Sequence, residues 1–169
     1  IGASNTALGK GSLFANTTAS NNTAVGASAG GFATTADNST FVGFQAGQGI
    51  TGAKLTGNNN TAVGKDAGLL LQGAATNNTL VGANGGAAIT TGTHNTFVGG
   101  DAGDETDDGV ANTAMGSAAL SANCGDNNAA FGYAALNVST GTNNTAYGVS
   151  AGRGQTTGSN NLFLGKDAG

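Results

Sequence analysis

A unit of nine residues recurs ten times along this chain, and its fifth residue is glycine in every copy. The unit reads approximately Asn-Thr-Ala-Val-Gly-x-x-Ala-Gly, and successive copies begin 16 to 18 residues apart, with one wider interval of 21. Such self-similarity is the signature of repeat architectures, in which each unit forms one structural turn and stacks on its neighbours. We therefore treat residues 1–169 as a single repeat array. The copies begin near Asn5, Asn22, Ser39, Asn60, Asn78, Asn95, Asn112, Asn128, Asn144 and Asn161.

The composition excludes the common globular and fibrous classes. Glycine accounts for 32 of the 169 residues, proline is absent, and charged residues make up only 8%, against about 25% in typical domains. A chain this rich in glycine, asparagine and threonine disfavours helices, and collagen needs proline and a strict three-residue period. The lack of proline instead suits strands in which every N–H is needed for a hydrogen-bond ladder.

The charge balance and the hydropathy pattern limit the partners of this chain. The net charge is −4 and the five basic residues are scattered, whereas nucleic-acid binding requires a basic patch. The longest apolar run lies around Leu69–Leu71 and is far too short to cross a membrane. We therefore expect no nucleic-acid partner and no membrane insertion within this segment.

Each unit contains a short Thr-x-apolar-Gly stretch that favours β-structure and is bounded by turn-forming residues on both sides. Stacking one such strand per unit in register produces a parallel β-solenoid, or β-roll, in which each coil is covered only by its neighbours. The sequence therefore predicts an all-β, parallel β-solenoid of about ten coils with 16–18 residues per coil. Asparagine at the first position, often doubled, predicts a corner with a side-chain ladder.

The invariant fifth glycine predicts a structural turn. Glycine is needed where the backbone is left-handed or where another segment approaches so closely that a Cβ would clash. These ten residues are Gly9, Gly26, Gly43, Gly64, Gly82, Gly99, Gly116, Gly132, Gly148 and Gly165.

Side chains alternate along a strand, so the second and fourth positions share one face and the third position points the other way. The fourth position is always apolar, and we assign it to the coil core: Leu8, Val25, Val42, Val63, Val81, Val98, Met115, Phe131, Tyr147 and Leu164. The third position has no polar residue in any copy, and an exposed apolar stripe of this length usually marks an interface. We assign it to an intersubunit stripe: Ala7, Ala24, Phe41, Ala62, Leu80, Phe97, Ala114, Ala130, Ala146 and Phe163.

Covering that stripe requires either a partner or a wider coil. The alanines between its larger residues let chains approach closely, and the simplest such arrangement is a parallel homotrimer. The alternative is a wider, three-faced monomeric coil whose interior holds both apolar stripes.

The unit also has a family likeness. Asn60–Gly68, which reads NTAVGKDAG, resembles the head repeats of YadA-type trimeric autotransporter adhesins. Residues 131–136 (FGYAAL) and 139–146 (STGTNNTA) are similar to repeats of tail-fibre-like proteins that end in an endosialidase-type intramolecular chaperone. The likeness covers all ten units and implies a left-handed roll of three chains in an extracellular fibre, although the period is longer than that of the adhesin heads. Because the array lacks atypical capping units, we expect a segment of a longer fibre.

Few residues of this chain suit catalysis or metal binding. His94, the only histidine, and Cys124, the only cysteine, lie between or just before units, and neither has a partner at a fixed spacing. The acidic cluster Asp104–Asp108 could hold Ca²⁺, but it lacks the spacing of an EF-hand loop and fits a solvated loop better. We predict no catalytic, cofactor-binding or metal-binding residues.

These observations favour a non-enzymatic structural module, the shaft or head of a homotrimeric fibre on a bacterial surface or a virion. Its loops, such as Gln48–Asn59 and Asp104–Ala111, would contact a host-surface receptor or glycan. The alternative is a monomeric β-solenoid that binds glycan or ice through its Thr/Asn faces. A depolymerising tailspike with sites between chains is a third hypothesis.

Overall fold

The computed structural model describes residues 2–169, which form one parallel β-solenoid and contain no helix, and therefore none that could span a membrane. Ten strands of three residues each form a single sheet in which the spatial order follows the order along the chain. The strands are β1 (Thr6–Leu8), β2 (Thr23–Val25), β3 (Thr40–Val42), β4 (Thr61–Val63), β5 (Thr79–Val81), β6 (Thr96–Val98), β7 (Thr113–Met115), β8 (Ala129–Phe131), β9 (Thr145–Tyr147) and β10 (Leu162–Leu164).

Equivalent positions of neighbouring units pair with each other along the whole sheet. Thr40 of β3 pairs with Thr61 of β4, although these residues are separated by the widest interval of the array. The extra residues of that interval leave the stack as a small hairpin closed by a bridge between Ile50 and Ala53. Length variation between units is therefore absorbed outside the sheet, and the register is preserved.

The strands are short because four residues in every repeat, one just before the nine-residue unit and three within it, have a positive φ. These are the residue before the unit and its fifth, seventh and ninth positions. Such backbone conformations are unfavourable for most side chains, and asparagine, aspartate and glycine tolerate them best. The sequence supplies mainly these residues there, as in Asn77, Gly82, Asn84 and Gly86 of the fifth unit, and the chain therefore turns after every three-residue strand.

The third position of the unit, and not the fourth, lines the interior of the coil. The side chains of Ala24, Phe41, Ala62, Leu80, Phe97, Ala114, Ala130 and Ala146 are fully buried. Ala7 is exposed and Phe163 is partly buried because each lies in a terminal coil that is covered on one side only. This corrects the assignment of these residues to an intersubunit stripe and of the fourth position to the coil core. The alternation of faces was predicted correctly, but inside and outside were exchanged.

The physical reason for the exchange is the narrow cross-section of the coil. Where the third position is phenylalanine, the ninth is glycine, as in Phe41 with Gly47. Where the ninth position is leucine, as in Leu120 or Leu136, the third is alanine and the leucine is buried. A bulky fourth-position residue in every coil would exceed this space. Large residues at the third or ninth position fill it in several coils, and where both positions are small, as in Ala62 and Gly68, a residue from the far side of the coil such as Leu71 contributes.

The first position of the unit forms a buried asparagine ladder. The Oδ1 atom of each asparagine accepts a hydrogen bond from the backbone N–H of the first residue in the next coil, over N···O distances of 2.8 to 3.2 Å. Ser39 is the one substitution, and its Oγ accepts the equivalent bond from Asn60 at 3.1 Å. In most coils the Nδ2 atom also donates to a corner carbonyl, such as Asn95 to Gly109 at 2.7 Å. The ladder runs through all nine steps between the ten units.

The fifth-position glycines satisfy both conditions that the sequence suggested for them. Their φ angles lie between 115 and 144°, where side chains are rarely accommodated. In the first nine coils, an added Cβ would lie only 2.3 to 2.6 Å from the carbonyl group of the equivalent glycine in the next coil. The glycine column therefore brings neighbouring backbones together at the end of each strand.

Candidate functional site

One long face of the solenoid is built from three parallel columns of outward-pointing residues. They come from the residue before each unit and from its second and fourth positions, and we call this surface the neutral face. The residues before the units are exposed: Ser4, Asn21, Asn38, Asn59, Asn77, His94, Ala111, Asn127, Asn143 and Asn160. The second positions are half-buried or exposed: Thr6, Thr23, Thr40, Thr61, Thr79, Thr96, Thr113, Ala129, Thr145 and Leu162. The fourth positions complete it: Leu8, Val25, Val42, Val63, Val81, Val98, Met115, Phe131, Tyr147 and Leu164.

The thirty residues of the neutral face include no aspartate, glutamate, lysine or arginine. The chain has 14 such residues, so about two or three would fall on thirty positions at its average density, and depletion of charge is a mark of interface cores. The charged residues begin at the borders of the face. Lys65 follows the fifth-position glycine on one side, and Asp37 and Asp126 precede the asparagine column on the other.

The fourth-position column exposes apolar side chains to solvent along the whole solenoid. Val25, Val42, Val63, Val81 and Val98 are half-buried between neighbouring side chains of the column. Larger residues follow toward the C-terminal end, where Met115 is 46% exposed and Tyr147 is 61% exposed. The rings of Phe131 and Tyr147 pack with their centroids 5.7 Å apart. The column is therefore a continuous apolar stripe that a single chain leaves open.

A second asparagine ladder runs along the edge of the neutral face. The exposed side chains of Asn21 and Asn38 are joined by a hydrogen bond of 3.2 Å, and those of Asn59 and Asn77 by one of 3.1 Å. Asn77 also lies 3.0 Å from Nε2 of His94. His94 thus takes the place of an asparagine in this column. No other titratable residue of the neutral face lies beside it.

The acidic cluster Asp104–Asp108 lies on another side of the coil, away from the neutral face. Burial raises the pKa of the Asp104 carboxyl, a hydrogen bond with Ser121 opposes the change, and the nearby charges of Asp101 and Glu105 add to it. Within residues 2–169, no group of three or more His, Cys, Asp or Glu side chains is arranged to hold a metal ion.

Cys124 is buried in the coil and lies 3.3 Å from Oγ1 of Thr106. Burial raises the pKa of its thiol, so the reactive thiolate is disfavoured. This cysteine fills the interior of the coil beside Thr106 as a small buried side chain.

The missed feature is the neutral face itself, because the sequence assigned its fourth-position residues to the interior. The first position of the unit could have identified this face. Asparagine recurs there in nine of ten units, lies on the same side of the strand as the third position, and both positions lie inside the coil. No family model, curated protein or solved structure compared with this chain matches it.

Proposed function

We propose that this chain is a structural module of an extracellular fibre, a stiff shaft or head segment made of three parallel copies and without enzymatic activity of its own. The observation that carries the proposal is the continuity of the coil stack. Ten strands pair in one register, and the buried asparagine ladder links every coil to the next. At about 4.8 Å per step, nine steps give a rod roughly 43 Å long.

The stack resists bending because hydrogen bonds cross from coil to coil outside the strands as well. At the corners after β2, Ser28 donates its N–H to the carbonyl of Lys10 at 2.8 Å, and Gly30 donates to Ala46 at 2.9 Å. Bending such a rod would stretch bonds on several sides of the coil together. Stiffness without flexible linkers suits a shaft that holds a terminal element away from a surface.

Two loops provide contact surfaces on the rod. The hairpin Ile50–Ala53 leaves the stack, and its tip residues Thr51 and Gly52 are exposed. The loop Asp104–Ala111 carries four acidic residues. A receptor or glycan on a host surface would meet these loops first, and the resemblance to adhesin-head and tail-fibre repeats supports the same role.

The decisive experiment is the molar mass of the segment in solution, measured by light scattering. A fibre module of three copies should have about three times the 16.0 kDa mass of one chain. Electron microscopy of the same sample should show straight rods of uniform length. A folded monomer at micromolar concentration would overturn the proposal.

A second function is favoured by one observation, the regularity of the neutral face in its middle part. Six consecutive coils present threonine at the second position, Thr23 to Thr113, and five of them present valine beside it. A flat threonine and valine array with a constant repeat would suit ice or a crystalline glycan. This function requires the face to be free, so a monomer that inhibits ice recrystallisation or binds a glycan array would select it.

A further inference from the structure

We infer that the neutral face is the surface through which copies of this chain associate side by side, with their coils parallel and at the same height. The inference rests on the proposed function and adds to it the contact surface and the register. The neutral face takes the place of the third-position stripe as the expected contact surface between chains, because that stripe lies inside the coil and cannot contact a partner.

The absence of charge on the neutral face is what a contact between identical chains requires. When the symmetry axis runs parallel to the solenoid, each residue faces or flanks its own copy, so any charge would meet a like charge. The face has no charged residue among thirty, although Lys65 and Asp37 lie just beyond its borders. A different partner would impose no such condition, because its surface could carry the complementary charge.

The sizes of the apolar residues favour the parallel register. Valines occupy the fourth position in the second to sixth coils, and bulkier Met115, Phe131 and Tyr147 occupy it in the seventh to ninth. Parallel copies bring residues of equal size to the same height, so the spacing between chains can widen smoothly toward one end. Antiparallel copies would set Tyr147 opposite Val25 and leave gaps beside the bulky residues, which would lower packing density.

The dimensions of the face suit a stable contact. Nine coil steps and the two intervals of about 7 Å between the three columns give a surface of roughly 43 by 14 Å. This is about 600 Å² per chain, the lower end of the range for a stable protein interface. Threonine and asparagine side chains beside the apolar column supply hydrogen-bonding groups, and such a mixture is typical of interfaces between chains that also have to fold alone.

Lysine substitutions on this face provide the test. Val63 and Val81 point outward and are half-buried, so the double variant Val63→Lys, Val81→Lys should leave the coil folded while placing charges opposite their copies. Its matched control adds two lysines on another side of the same coils, at exposed Ala74 and Thr91. We expect the mass by light scattering to fall to 16.0 kDa for the neutral-face variant only, with unchanged circular dichroism.

The register is tested by disulfide cross-linking. Chains with Val63→Cys are refolded together with chains carrying Met115→Cys, the residue that an antiparallel arrangement would bring to the same height. Both carry Cys124→Ala, so that no other thiol can form a link. In-register copies should give only links between identical positions, and links between the two kinds of chain would overturn the parallel register.

The outcomes separate this inference from the proposed function. An assembled wild type whose mass is unaffected by the lysines at Val63 and Val81 overturns the face and leaves the fibre function standing. A wild-type dimer that these lysines dissociate supports the face and overturns the trimer. If the lysine variant fails to fold, the cross-linking yields decide.

Discussion

Gly103 lies directly against the ring of Phe97, so that a Cβ added to the glycine would be only 2.3 Å from Cε2 of that ring. The same relationship joins Gly47 to Phe41, at 2.1 Å from Cδ1. Both phenylalanines are fully buried. One bulky side chain, supplied from either the third or the ninth position, therefore fills each such coil.

This exchange predicts that Phe97 and Gly103 can be replaced only together. Gly103→Leu alone should overpack the coil and cost about 1–3 kcal/mol or more, and Phe97→Ala alone should leave a cavity and cost about 3–5 kcal/mol. The double variant reproduces the Ala114 and Leu120 pair of the seventh unit and should be more stable than either single variant. Denaturant unfolding of the three variants measures this, and additive losses would contradict it.

The paired asparagines Asn77 and Asn78 should differ sharply in their contribution to stability. Asn78 is buried, accepts the N–H of Asn95 at 3.0 Å and donates to the carbonyl of Gly92 at 2.8 Å. Asn78→Ala leaves these buried groups without partners, which costs about 1–3 kcal/mol for each.

The matched control is Asn77→Gly, because Asn77 is exposed and glycine keeps its φ of 58° without strain. It should change the unfolding midpoint little. Equal losses for the two variants would show that the inner ladder adds no more stability than the outer one.

The sequence was sufficient to predict the solenoid, the register and the strand in each unit. Repetition and alternation determine these features without any knowledge of cross-section. They do not determine the phase of the alternation, that is, which face of the strand lies inside the coil. The third and fourth positions are both apolar, and hydrophobicity alone favoured the larger Val63 over Ala62 as the interior residue.

What settles the phase is volume and hydrogen bonding. A narrow coil accepts Ala62 and rejects a continuous column of valines, and Asn60 can be buried because Ser39 in the coil before and Asn78 in the coil after both form hydrogen bonds with it. Such pairing between coils cannot be read from one unit. The candidate surface was missed for the same reason, since exchanging inside and outside moved the neutral face into the core.

The glycine column should tolerate no side chain within the stack. At Gly82 the φ is 127° and an added Cβ would lie 2.4 Å from the carbonyl oxygen of Gly99. Gly82→Ala should therefore prevent coil closure there, seen as loss of the cooperative thermal transition.

Gly165→Ala separates the two causes of that loss. Gly165 has a φ of 115°, but in the last coil an added Cβ meets no atom within 4 Å. We expect Gly165→Ala to fold with a moderate loss from backbone strain alone. If it is as damaging as Gly82→Ala, backbone strain and not the close approach of coils explains the invariant glycine.

Asp104 should make the stability of the solenoid depend on pH. One oxygen of its carboxylate, Oδ1, is buried without a hydrogen-bond partner, and burial raises the pKa of the group above its usual 3.8. A carboxyl whose pKa is higher in the folded state binds protons more tightly there, so folding is favoured at low pH and this advantage is lost as the pH rises through the folded pKa.

Asp104→Asn removes the buried charge and should raise the melting temperature at pH 7. The gain should shrink as the pH falls through the raised pKa of the wild-type carboxyl, because the folded state then binds the proton and loses the buried charge. Asp108→Asn removes the same charge from an exposed side chain of the same loop, and a gain of equal size there would attribute the effect to net charge and not to burial.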